Sequence, residues 1–195
     1  MAVGDRIKRV RNFRKMTMKE LGMAVGFDEN TADVRIAQYE NNSRKPKDEL
    51  LKKIVTEDMT AEAKVKAIYA YVRSHYTYSG HSDKTDWMQG AYVMMTDGQG
   101  DCFNYYAVTK LLLDRCGIPN IDVRKVRNHE TDSDHYWSLV SVDGGSTYYH
   151  LDTTPRVGDG DDFCLVTDAF LDAYSDTHGK CHNRDKALYP KTPEA

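Results

Sequence analysis

The segment at residues 98–117, GQGDCFNYYAVTKLLLDRCG, places the strongest limit on how this chain can fold. Its glycines permit a tight turn, and Asp101 after them is a favoured residue at the N-cap of a helix. Apolar residues then recur at helical spacing until Gly117 and Pro119 end the run. The pattern predicts a helix that begins at Cys102, directly after a glycine-rich turn.

The position of Cys102 has a chemical consequence. The positive end of the helix would stabilise a thiolate at its first residue, and the backbone amides there could hold an oxyanion. Cysteine is also among the most frequently buried residue types, so a structural role is the alternative for this residue taken alone. Residues further along the chain favour the chemical interpretation.

A β-hairpin is predicted in the segment at residues 134–152, DHYWSLVSVDGGSTYYHLD. Side chains alternate along its arms, and the DGG sequence is typical of a hairpin turn. A turn formed by Asp-Gly places His135 directly opposite Asp152, whereas a turn formed by Gly-Gly makes them diagonal neighbours. In both registers they share a face of the sheet, and His150 lies on the other face. The sequence therefore predicts an imidazole beside a carboxylate.

A thiol nucleophile needs a base, and the base needs a third group that orients it. Cys102, His135 and Asp152 supply these groups in that order along the chain. The carboxylate would fix the tautomer of the imidazole and stabilise its protonated form.

These residues resemble the transglutaminase-like superfamily, the papain-like fold that also includes peptide N-glycanases and bacterial cysteine proteases. The resemblance covers about residues 55–157 and lies in the sequences GDC at 100–102, HYW at 135–137 and LDTTP at 151–155. It implies Cys102 as the nucleophile, His135 as general base and acid, Asp152 as the orienting group and a thioester intermediate, with no metal or cofactor. Four residues are candidates for an oxyanion or substrate pocket: Trp87, Gln89, Tyr92 and Trp137.

The first part of the chain differs in charge from the rest. Residues 1–54 carry 13 Lys and Arg against 8 Asp and Glu, while residues 55–195 carry 14 against 22. This asymmetry predicts two modules with different partners.

The basic module resembles the helix-turn-helix domain of lambda-repressor-like transcription regulators. The resemblance covers about residues 3–54 and is carried by TMKEL at 17–21, RIAQYE at 35–40 and SRKP at 43–46, where Thr17 and Glu20 form a predicted capping box. It implies a third helix in the major groove of double-stranded DNA. The candidate base contacts are Asn30, Thr31, Arg35 and Gln38, and the candidate phosphate contacts are Arg14, Arg44 and Lys45.

Further features narrow the class of protein. No apolar run approaches the roughly 18 residues of a membrane span, and the first residues lack the apolar core of a secretory signal, so a soluble cytoplasmic protein is expected. The four cysteines show no CxxC spacing and are expected to be free thiols. Residues 186–195 are expected to be a loose end. A zinc site is not expected, because the spacing of its possible ligands is poor; these are Cys164, His178, Cys181 and His182.

We therefore expect an α+β protein with a helix-turn-helix module at residues 1–54 and a transglutaminase-like domain at residues 55–195. In the second domain an antiparallel sheet would pack on the helix that begins at Cys102. The expected function is cysteine-dependent acyl transfer or hydrolysis on peptide or glutamine amides, with a peptide or protein substrate and no cofactor. The alternative is a DNA-binding regulator whose transglutaminase-like domain is a sensor or interaction module. The substrate, the choice between hydrolysis and transamidation, and the oligomeric state stay open.

Overall fold

The computed structural model of the chain describes residues 3–43, 49–80, 82–155 and 162–194. The chain forms two compact units, Met1–Glu49 and Leu50–Ala195. The first unit contains the helices α1 (Val3–Phe13), α2 (Met18–Ala24) and α3 (Ala32–Glu40). None of the described helices is long and apolar enough to cross a lipid bilayer.

The first unit is built around the contact of α2 with α3. The capping box predicted at the start of α2 is present, since the Glu20 backbone N–H donates to Thr17 Oγ1 at 3.1 Å and the Thr17 N–H donates to the Glu20 carboxylate at 2.7 Å. The two helices approach closely at Gly22, where a Cβ atom would lie 2.6 Å from the Ala32 carbonyl oxygen. The unit is small, and Phe13 is left 87% exposed. Its described part is mainly helical, and its assignment as a helix-turn-helix domain stays a prediction.

The second unit combines helices with two small sheets. Its helices are α4 (Glu49–Ile54), α5 (Ala61–His75), α6 (Trp87–Asp97), α7 (Cys102–Arg115) and α8 (Asp168–Thr177). Its strands are β1 (Thr77–Tyr78), β2 (Gln99–Gly100), β3 (Asn120–Arg124), β4 (Tyr136–Val140), β5 (Tyr149–Leu151) and β6 (Cys164–Val166). The strands β1 and β2 pair in parallel, and the other four form an antiparallel sheet in the order β3-β4-β5-β6. The expected α+β class with an antiparallel sheet is confirmed.

The helix α7 occupies the centre of this unit and contacts α5, α6 and β4. It begins at Cys102 as predicted, because the Asp101 carboxylate accepts the Phe103 backbone N–H at 2.9 Å. Asn104 completes a capping box by accepting the Asp101 backbone N–H at 3.0 Å. Apolar side chains such as Tyr105 are fully buried along it. The helix is therefore held firmly at the end that carries the cysteine.

The helix α4 belongs to the same core, since Leu51, Ile54 and Val55 pack against it. The compact unit thus begins a few residues before the expected boundary after residue 54. The division into two domains at that residue stays a prediction.

The register of β4 and β5 corresponds to the Gly-Gly alternative. Leu139 pairs with His150, and Val140 pairs with Tyr149, which makes His135 and Asp152 diagonal neighbours just outside the strand ends. The strands stop short of a two-residue turn because Asp143 organises a wider loop. Its carboxylate accepts the backbone N–H groups of the two residues that follow the glycines, Ser146 at 3.0 Å and Thr147 at 2.9 Å.

The expected loose end after residue 186 is wrong for the described residues. Lys186–Leu188 form a short 3-10 helix. Further on, the Thr192 backbone N–H donates to Asp168 Oδ2 at 2.9 Å, and the Asp168 N–H donates to Thr192 Oγ1 at 2.6 Å. These two bonds tie the segment to the first turn of α8, and Thr192 is buried.

Candidate functional site

Three separate segments bring the predicted triad residues together. Cys102 is the first residue of α7, His135 directly precedes β4, and Asp152 directly follows β5. His135 Nε2 donates to Asp152 Oδ2 at 2.7 Å, and both side chains are buried. The diagonal register thus places the imidazole and the carboxylate in hydrogen-bond contact.

The Cys102 side chain lies on the other side of the imidazole. Its thiol donates to the Asp134 carbonyl oxygen at 3.6 Å, and its interaction with the His135 imidazole helps to raise the pKa of that ring. Because His135 Nε2 faces Asp152, the ring nitrogen that serves the thiol is Nδ1. The order thiol, imidazole, carboxylate is the arrangement in which a base is oriented by a third group.

The charges in this chain of contacts support each other. Burial disfavours the imidazolium, but the attraction and hydrogen bond of Asp152, together with the Cys102 side chain, raise the pKa of His135 to about 9. Burial also disfavours the Asp152 carboxylate, yet the interactions with His135 and His182 hold its pKa well below the usual range. At neutral pH the pair is therefore an imidazolium beside a carboxylate.

A residue that the sequence interpretation left outside the site, His182, completes the surroundings of Asp152. Its Nε2 donates to Asp152 Oδ2 at 2.9 Å, and the other carboxylate oxygen accepts the Thr154 backbone N–H at 3.0 Å. His182 is fully buried in an irregular segment after α8. No periodic pattern surrounds it, so its contact with a residue 30 positions away has no local signal in the sequence.

The side chains of His135, Asp152 and His182 are also possible ligands for a metal ion. Within the described residues, His135, Asp152 and His182 form the one cluster of three possible ligands whose atoms lie within 4.8 Å of one another. The separations of 2.7 Å and 2.9 Å are hydrogen-bond lengths, so the three groups satisfy one another directly. That arrangement fits a proton-sharing network.

The triad opens onto a cleft of about 490 Å³. Cys102 and His135 lie on its wall together with Lys125, Tyr174 and Cys181. The cleft is large enough for the side chain and flanking backbone of a peptide substrate.

None of the four predicted pocket residues lines this cleft. Trp137 is buried behind the imidazole, with its ring stacked on His135 at 5.6 Å. On α6, Trp87 and Gln89 line two other clefts, and Tyr92 is 42% exposed. Their assignment to an oxyanion or substrate pocket stays a prediction.

The predicted DNA contacts occupy the first unit. Arg14, Asn30 and Thr31 are exposed, and Thr31 is the residue before α3. Arg35 is half-buried, with its guanidinium 5.7 Å from the centre of the Phe27 ring. The remaining three are Gln38, which is half-buried, and Arg44 and Lys45, which lie outside the described residues.

Comparison with known proteins places these observations in a family. The model of the family described as the transglutaminase-like superfamily matches residues 48–153, which is more than half of the chain and includes Cys102, His135 and Asp152. No curated protein matches the chain.

The matches among solved structures are more distant. A cysteine protease candidate from Cytophaga hutchinsonii is 19% identical at a TM-score of 0.44, and the match covers 54% of this chain and 35% of that protein. A protein named as a TGase is 18% identical at a TM-score of 0.43, with coverage of 69% and 40%. A protease candidate from Parabacteroides distasonis is 14% identical at a TM-score of 0.42, with coverage of 60% and 24%. The matched region of this chain thus spans less than half the length of each of these proteins.

Proposed function

The chain belongs to the transglutaminase-like superfamily, and from this premise we propose that it is a cysteine-dependent enzyme that transfers an acyl group from a peptide or glutamine amide to water or to an amine. Cys102 is the nucleophile, His135 the general acid and base, and Asp152 the orienting group. The observation that carries the proposal is that Cys102 and His135 line one cleft while the His135 imidazole is hydrogen-bonded to the buried Asp152 carboxylate at 2.7 Å.

The first half of the reaction uses the charge already present in the site. At neutral pH the proton given up by Cys102 already resides on His135 Nδ1, and the thiolate of this ion pair attacks the amide carbonyl carbon. Asp152 stabilises the resulting imidazolium through the bond to Nε2. His135 then donates the proton to the leaving nitrogen, and a thioester remains on Cys102.

The start of α7 supplies the candidate stabilisation for the carbonyl oxygen. The Asp101 side chain already accepts the backbone N–H groups of Phe103 and Asn104. The Cys102 backbone N–H, at the first helical position, is therefore our candidate oxyanion donor, with the helix dipole behind it. In the second half of the reaction, His135 takes a proton from water or an amine, which attacks the thioester.

The test supplies both acyl acceptors, water and a primary amine. An unfolded glutamine-rich protein is incubated with the full chain and a fluorescent primary amine, and we measure amine incorporation, ammonia release and new peptide ends. Cys102→Ala should abolish whichever product forms, and Cys116→Ala is the matched control on the same helix. A product that persists in Cys102→Ala, or no product at all from a folded chain that also fails to be alkylated at Cys102, would contradict the proposal.

A second candidate function, binding of double-stranded DNA, rests on the first unit. The tight α2–α3 pair at Gly22 and the exposed basic side chains on and after α1 favour it; these are Arg6, Lys8, Arg9, Arg14 and Lys15. Phosphate contacts release counterions, so we expect the affinity of the full chain for random duplex DNA to fall steeply with salt. Arg14→Ala should flatten that slope in fluorescence anisotropy titrations, and the absence of any salt-dependent binding would refute this function.

A further inference from the structure

A second histidine contacts the carboxylate of the proposed triad, and a second cysteine contacts that histidine. His182 Nε2 donates to Asp152 Oδ2 at 2.9 Å, and Cys181 Sγ lies 3.2 Å from His182 Nδ1. Since Nε2 carries the proton that is donated to the carboxylate, Nδ1 of a neutral His182 is an acceptor, and the Cys181 thiol is the donor. The order is again thiol, imidazole, carboxylate.

We propose that Cys181, His182 and Asp152 form a second thiol–imidazole–carboxylate arrangement, which makes Cys181 a reactive thiol and a site of covalent modification by soft electrophiles inside the cleft. The two arrangements share Asp152 and open onto the same cleft, where both Cys102 and Cys181 line the wall. The inference concerns Cys181 itself and does not rest on the activity proposed for Cys102.

The position of His182 makes it suitable as a base. Its ring is stacked on Phe163 at 5.5 Å and meets the rings of Trp137 and His135 edge-on, each at 5.0 Å. Together with its bond to Asp152, this packing fixes the plane of the imidazole and keeps Nδ1 directed at Cys181. A base held in this way requires no reorganisation when it accepts the thiol proton.

Another half-buried cysteine, on β6, provides a contrast. Cys164 on β6 is also only partly exposed, but burial and the nearby Asp162 carboxylate raise the pKa of its thiol to about 12. A thiol of that kind is inert at neutral pH, because the thiolate is the nucleophile. Cys181 has an imidazole acceptor where Cys164 has a neighbouring negative charge.

The modification can be written with iodoacetamide as the probe. The Cys181 sulfur forms a bond to the methylene carbon, the carbon–iodine bond breaks, and iodide leaves. The thiol proton passes to His182 Nδ1, and the imidazolium is then stabilised by Asp152. No metal, oxidant or second protein is needed.

The experiment measures alkylation rates of the individual cysteines in the full chain by peptide mass spectrometry at pH 7. We expect Cys181 to react at least tenfold faster than Cys164 and Cys116. His182→Phe retains the aromatic packing but removes both ring nitrogens, and it should reduce the Cys181 rate about tenfold. His178→Phe is the matched control in the same cleft and should leave the rate within twofold.

Two results would overturn the inference: a Cys181 rate no higher than that of Cys164, or a rate that His182→Phe and His178→Phe change equally. Should His182→Phe fail to fold, the comparison of Cys181 with Cys164 and Cys116 in the unsubstituted chain decides. The same spectra report Cys102, so failure of the proposed catalytic pair appears separately, as a Cys102 rate that is insensitive to His135→Ala.

Discussion

Replacement of Asp152 by asparagine removes the charge on which the proposed activation of Cys102 depends. The amide has nearly the same size, so the buried site keeps its shape while the imidazolium loses its partner. Asp152 is the chief cause that raises the pKa of His135 from 6.5 to about 9 against the effect of burial. At about 1.4 kcal/mol per pKa unit, this difference corresponds to about 3 kcal/mol of stabilisation of the imidazolium.

Loss of about 3 kcal/mol lowers the population of the thiolate–imidazolium pair on the order of 100-fold. We therefore expect Asp152→Asn to slow alkylation of Cys102 by iodoacetamide at pH 7 by a similar factor. The rates are read for each cysteine by mass spectrometry, with Cys116 at the C-cap of α7 as the internal reference. Far-UV circular dichroism and the melting temperature establish that the variant is folded.

A folded Asp152→Asn variant whose Cys102 reacts within threefold of the original rate would refute this reasoning. The result would mean that the carboxylate does not control the charge of His135, despite a separation of 2.7 Å. A fall in the rates of Cys102 and Cys116 alike would instead indicate a general change in the fold.

Three further predictions concern stability. The raised pKa of His135 contributes stability that is fully present below about pH 6.5 and is lost as the pH rises through about 9. The free energy of unfolding, measured with urea, should therefore fall by up to about 3 kcal/mol over that interval. His135→Phe should remove most of this decrease. Gly100→Ala should lower the free energy of unfolding by about 1–3 kcal/mol, because the new Cβ would lie 2.6 Å from the buried Asn104 side chain that caps α7. An unchanged melting temperature would contradict this prediction. Asp143→Ala should lower the urea midpoint of unfolding, since two backbone N–H groups of the β4–β5 loop lose their acceptor. Asp143→Asn, which retains one acceptor oxygen, should lower it less.

The parts of the site that the sequence predicts are those with local signals. The glycine turn, the aspartate cap and the helical period place Cys102 at the start of α7, and the structure has it there. Strand alternation places His135 and Asp152 on one face, and the pairing of β4 with β5 preserves that relation. The register itself could not be chosen, because it depends on the bonds that Asp143 makes across the loop.

The parts that the sequence does not predict depend on contacts between distant segments. His182 reaches Asp152 from an irregular stretch after α8, and the tail is held by reciprocal bonds between Asp168 and Thr192. Neither contact follows from a period, a cap or a turn. The pocket candidates on α6 illustrate the same limit, since Trp87, Gln89 and Tyr92 do not line the cleft of Cys102.

The central claim, that Cys102 is a nucleophile activated by His135, is tested most directly by trapping the thioester. The full chain is mixed with an activated acyl ester, quenched in acid after short times, and analysed by intact mass and peptide mapping. We predict that one acyl group forms on Cys102 of the unsubstituted chain and that an added amine removes it. In His135→Ala the same acyl group should form at least tenfold more slowly. An acyl group that forms on Cys102 at the same rate in both proteins, or that is never found on Cys102, would contradict the account.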